Sequence, residues 1–185
     1  MVAPGQMRDR FLAEHEARTK EIALAIGDAL KITGEQRQAL GIAAVCHDIG
    51  MVHLSEELLC RRAPITRDEY VAIQKHPETG ARMLGHIEFR WPIAEIIAQH
   101  HERMYGSGYP LGLTGNDIRL EARIIAVADV VEAMCSNRPY RTAPGLDAAL
   151  REIQEYRGKL YDADVVDACV QAFEDETLRQ KFQAV

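Results

Sequence analysis

The sequence predicts an all-α domain of about seven to eight helices, on three observations. Apolar residues recur at helical spacing in several long segments, and no segment alternates with the two-residue period of a strand. Alanine is abundant, while aromatic residues make up only 6% of the 185. With 47% hydrophobic and 27% charged residues, the composition is that of one globular domain with a real core.

Each element has a local reason. Met7 to about Lys31 reads as a long amphipathic helix closed by Thr33-Gly34, and a second helix runs from about Glu35 to Ile49 and stops at Gly50. Residues 51–65 look irregular, with room for one short turn. Thr66-x-x-Glu69 is a capping box that opens a third helix toward Lys75. Pro77 starts a fourth, and Pro92 stands where the first residue of a fifth belongs. Residues 105–116 carry four glycines and a proline, which is loop chemistry. The nearly all-apolar stretch Ile118 to Cys135 is the expected central helix. Two more helices, about 145–157 and 162–174, complete a domain spanning 8–174, between terminal segments 1–7 and 175–185. The polar second of these is expected to fray.

Charge and cysteine usage narrow the function. A formal charge of −6 argues against DNA as a partner, yet leaves room for a small anion in a locally positive pocket. Cys46, Cys60, Cys135 and Cys169 are widely spaced and read as free thiols of a reducing compartment. Met1 to Gln6 lacks the pattern of a signal peptide, and the apolar run Ile124 to Val131 is interrupted by Asp129. A cytoplasmic protein without membrane association is expected; the oligomeric state is not legible.

Five of the seven histidines point inward. Phe11, His15, Ile22, Ile26 and Ala29 lie on one stripe of the first helix, and Leu40, Ala44 and His47 or Asp48 do so on the second. Ile93, Ile97 and His100/His101 repeat the arrangement, and Ile118, Ala122, Ile125 and Asp129 share a face of the central helix. Taken alone, His15 reads as a hydrogen-bonded core residue and His76 as a helix end before Pro77. Asp129 is harder to explain that way, because an ionised carboxylate in an apolar helix costs several kcal/mol unless paired. His53 and His86 fit no buried pattern and are expected at the surface. Jointly, His15, His47, Asp48, His76, His100, His101 and Asp129 suit a metal centre. Nitrogen and carboxylate donors without thiolate suit iron, manganese, zinc or nickel, and the donor set alone does not choose among them. Seven donors exceed the needs of one tetrahedral ion. Two divalent ions about 3.5–4 Å apart, bridged by Asp48, fit better and would activate water toward a phosphoryl group.

The ordered set His15, His47-Asp48, His76, His100-His101 and Asp129 resembles the HD superfamily of metal-dependent phosphohydrolases. The run from His100 to Pro110, HHERMYGSGYP, followed by GLTG, resembles its HD-GYP branch. The likeness continues through Ala122 to Asp129, Ser136-Asn137-Arg138-Pro139-Tyr140-Arg141 and Tyr161-Asp162. It implies an HD-type helical bundle with a GYP loop and a phosphodiesterase of cyclic di-GMP, working by a metal-bridged hydroxide held at Asp48. The seven residues above would be metal ligands, and the products linear pGpG or GMP. Arg138 and Arg141 would bind substrate phosphate, for which a guanidinium fork is suited. Gly108 would let backbone approach the nucleotide and Tyr109 would line the pocket. Diguanylate-cyclase-type signalling proteins are the further partners the resemblance suggests. Without it, Arg138-Pro139-Tyr140-Arg141 would read as a solvated loop.

Three positions depart from the family pattern. Met51 stands where His-Asp-Ile-Gly is usually followed by lysine, and losing such a donor can weaken catalysis by a few powers of ten. Phe11 replaces a glutamate that completes a third metal site in some members, so two ions are expected. Tyr105 replaces an aspartate able to fix the loop by hydrogen bonds to nearby amides. These changes leave an alternative: a weak or inactive nucleotide- or partner-binding module. A hybrid cyclic dinucleotide is a third candidate ligand.

Overall fold

The computed structural model describes residues 4–59, 63–137 and 142–183. Ten α-helical segments occur among them, with 3-10 turns at Ile49–His53 and Gly115–Asp117 and no named strand. They are α1 (Pro4–Ala29), α2 (Gly34–Cys46), α3 (Glu56–Leu59), α4 (Arg67–Ile73), α5 (His76–Leu84), α6 (Ile93–Gln99), α7 (Leu120–Cys135), α8 (Leu146–Glu155), α9 (Ala163–Ala172) and α10 (Glu176–Gln183). The count exceeds the expected seven to eight because the irregular stretch contains the one-turn α3 and the tail forms α10.

The tail corrects an expectation. Residues 176–183 are helical, and Phe182 is 1% exposed, edge-on to Phe173 with ring centroids 5.7 Å apart. Phe182 and, one turn earlier, the partly buried Leu178 dock an otherwise polar helix. The capping box at α4 is present in both directions: Thr66 Oγ1 accepts from the Glu69 amide, and the Glu69 carboxylate accepts from the Thr66 amide at 2.8 Å. Pro92 caps α6 from one residue further out than expected, and Asp162 caps α9 by accepting from Asp164 N at 2.9 Å.

Helix α7 is the axis of the molecule. It packs against α1, α2, α6, α8 and α9, and Ile124, Ile125, Val127, Ala128 and Val131 are all fully buried. Burial of this kind stabilises by about 25 cal/mol per Å² of apolar surface. Helices α1 and α7 pack against each other and bring His15 beside Asp129. No helix among the described residues is long and apolar enough to cross a membrane.

Candidate metal centre

The polar groups that the periodicity aims inward meet at one place. Asp48, His76, His100 and His101 form one set, and His15, His47 and Asp129 a second, the donor atoms of each set lying within 4.8 Å of one another. His53 and His86 are exposed, as expected.

Helix ends position most of the imidazoles. His47 caps α2, His100 caps α6, and His76 begins α5 directly after α4. Each donates Nδ1–H to the carbonyl three residues earlier: His47 to Ala44 at 2.8 Å, His76 to Ile73 at 2.8 Å and His100 to Ile97 at 2.6 Å. Those carbonyls belong to last turns, where the helix leaves acceptors short of amide partners. With Nδ1 so engaged, each ring turns its Nε2 toward the centre.

Asp48 stands between the sets. Its Oδ1 is 3.1 Å from His76 Nε2 and 3.9 Å from His100 Nε2. Its Oδ2 is 3.6 Å from His47 Nε2 and 3.7 Å from His15 Nε2. Asp129 Oδ1 lies 3.3 Å from His15 Nε2. His101 stacks on Tyr109, with centroids 4.7 Å apart and 28° between planes.

The charges follow from these contacts. Burial works against a charged carboxyl at Asp48 and Asp129, but the surrounding imidazoles hold both well below the usual range. Burial also works against a proton on His15, yet hydrogen bonds to Asp129 and Glu132 raise it to about 10. Burial and neighbouring imidazoles push His100 well down, and burial brings His101 to about 4. At neutral pH, His100 and His101 therefore present lone pairs.

This arrangement fits a cation. The buried His47 Nε2 has no hydrogen-bond partner, which is costly for a polar atom away from water. His76 Nε2 and His100 Nε2 face each other at 3.2 Å although both rings already donate through Nδ1. Two ring nitrogens so placed repel unless a proton or a cation lies between them. Imidazole and carboxylate donors without thiolate suit divalent first-row ions.

Two features of the loop differ from the sequence reading. Tyr105 is 69% exposed, but the loop does not lack an anchor, because Glu102 supplies one. This buried carboxylate accepts from the amides of Leu111 at 2.7 Å, Gly112 at 3.1 Å and Leu113 at 3.0 Å. Glu102→Ala is expected to cost about 1–3 kcal/mol for stranding these donors, lowering the melting temperature by several degrees. A thermal melt with limited proteolysis between 105 and 113 checks this; an unchanged melt would remove the anchor role. At Gly108, a Cβ would sit 2.4 Å from Glu102 Cα and from the His101 carbonyl oxygen. The protein's own backbone occupies the space that glycine leaves. Arg138 and Arg141 lie outside the described residues.

Fold and site together define an all-helical protein whose helix ends gather histidine and aspartate. Residues 6–165 match the HD domain family, to which the chain belongs. It is 38% identical to the cyclic di-GMP phosphodiesterase response regulator RpfG of Xanthomonas campestris, over 88% of this chain and 44% of that protein. It is 33% identical to the 3'3'-cGAMP-specific phosphodiesterase 1 of Vibrio cholerae, over 88% of this chain and 38% of that one. The chain thus spans less than half the length of these curated relatives. The solved structure of Bd1817, an HDG"Y"P protein from Bdellovibrio bacteriovorus, shares the fold with a TM-score of 0.71 at 21% identity, covering 88% of this chain and 52% of that one.

Proposed function

We propose that this chain hydrolyses cyclic di-GMP to linear pGpG or onward to GMP, using two divalent ions, iron or manganese in preference to zinc or nickel. The observation that carries the reading is Asp48, whose two oxygens face two separate sets of imidazoles. We assign His15, His47 and Asp129 to one ion, His76, His100 and His101 to the other, and Asp48 to both. Bound there, the ions supply Lewis acidity toward phosphoryl oxygens and lower the pKa of water at the site. Tyr109, fixed against His101, gives the nucleotide an aromatic wall. Arg138 and Arg141 are assigned to substrate phosphate on their sequence pattern alone. Hydrolysis breaks one P–O3′ bond, adding hydroxyl to phosphorus and a proton to the 3′ oxygen. The silent-module alternative is not favoured, since the relatives are named as phosphodiesterases. Free thiols at Cys46, Cys135 and Cys169 support a reducing, cytoplasmic setting.

The test is incubation of Mn²⁺- or Fe²⁺-reconstituted protein with cyclic di-GMP and, in parallel, 3'3'-cGAMP, with chromatography of the products. Absence of pGpG and GMP with either metal at stoichiometric protein would overturn the proposal; faster cleavage of 3'3'-cGAMP would reassign the substrate.

Metal affinity is expected to depend on pH with a defined sign. His15 must release its proton to bind a cation, and that proton is held up to about pH 10 in the metal-free protein. Apparent affinity at its site therefore rises about tenfold per pH unit between pH 7 and 9. Chelator competition at several pH values checks this, and a flat profile contradicts it.

A further inference from the structure

His15 is oriented differently from the helix-end imidazoles. It lies inside α1, where backbone carbonyls are taken by amides four residues on, so its Nδ1 has no local acceptor. The Glu132 carboxylate fills that role from α7, one turn beyond Asp129. Residues three apart on a helix share a face. Asp129 and Glu132 thereby address opposite nitrogens of one ring: Asp129 lies by Nε2 and Glu132 bonds Nδ1.

Glu132 is itself held from two further sides. It is 1% exposed, its Oε1 accepts from Arg18 Nε at 3.1 Å, and the Ser136 hydroxyl donates to the same oxygen. Arg18 is seated in turn by α10, its guanidinium carbon 4.3 Å from the centroid of the Phe182 ring. A carboxylate fixed this firmly can set the tautomer and tilt of an imidazole whose other nitrogen faces a metal.

We propose that Glu132 is a positioning residue for the His15–His47–Asp129 site, keeping the His15 ring aimed so that Nε2 meets the cation, with Arg18 and Ser136 fixing its carboxylate. The inference rests on the metal reading given above. It implies an asymmetric pair of sites: His15 leans on a carboxylate contact between helices, whereas His47 beside it and His76 and His100 in the other site lean on backbone carbonyls.

The experiment is a stepwise Mn²⁺ titration of the full chain against a competing chelator, for wild type, Glu132→Gln and Ser136→Ala, alongside thermal melts of the metal-free proteins. In Glu132→Gln, one of two equivalents is expected to weaken by about 10–100-fold with the other unchanged, while the loss of a buried charge beside Arg18 lowers the metal-free melt. Ser136→Ala, which deletes only a hydroxyl, should weaken the same equivalent by less; it carries the test if the glutamine variant does not fold. Two wild-type affinities in both variants would overturn the positioning role while leaving the metal reading intact. So would equal weakening of both equivalents with a lowered melt, the mark of a purely structural residue. A wild-type protein that binds no Mn²⁺ would instead overturn the metal reading, and this inference with it.

Discussion

Asp48→Asn is expected to lower the proposed cyclic di-GMP hydrolysis by about 10³-fold or more and to leave at most one tight Mn²⁺ equivalent. Asparagine keeps the shape of the side chain but removes its charge and turns an amide NH₂ toward one of the two imidazole sets. The set of Asp48, His76, His100 and His101 contains no other carboxylate among the described residues. Its imidazoles would then face a dication with no anion to balance it, at a buried position where charge imbalance is severe. The loss should appear in kcat and in metal stoichiometry together. Wild-type turnover with two bound ions would show that Asp48 does not join the sets.

Gly50→Ala has the second-largest expected effect, and it acts through packing. A Cβ at this position would lie 2.0 Å from the His76 carbonyl oxygen and 2.7 Å from Gly80 N, both backbone atoms. The turn after Asp48 is pressed directly against the first turn of α5. A methyl group there must push α5 away, at a cost of about 1–3 kcal/mol or more, or roughly 2–12 °C in melting temperature. His76 moves with α5, so metal binding should weaken along with stability. Its Nδ1 contact to Ile73 spans the α4–α5 junction and would be strained by the same shift. A variant that melts and binds Mn²⁺ like wild type would contradict the close approach.

The contrast between these residues and Glu132 explains which parts of the site were legible in the chain. His15, His47, His100 and Asp129 sit on stripes whose other members are apolar, so helical spacing alone aims them inward. Glu132 is fully buried too, but its role lies in a contact to a residue 117 positions away, which no local pattern encodes. No local pattern marks Glu102, which lies between the histidine pair and the glycine-rich loop; its function exists only once residues 111–113 fold over it. Smallness matters at Gly108 as its sequence setting suggests, and the backbone of residues 101–103 is the neighbour that needs the space. Helix α10 is hard to read from the chain because Leu178 and Phe182, a single apolar pair in a polar tail, carry too little periodicity to announce a buried face. Element boundaries moved by a few residues where capping, not hydrophobicity, sets them, as at Pro92.

Tethering an imidazole to the main-chain oxygen three positions before it has a consequence for how this site can change over generations. The anchor at Ala44, Ile73 and Ile97 is a peptide carbonyl, which every amino acid carries. Side chains along those turns can drift widely without rotating the rings. An insertion or deletion of one residue, by contrast, would swing a ring by about 100°. Divergence in this region should therefore accumulate as exchanges of residues and almost never as changes in spacing.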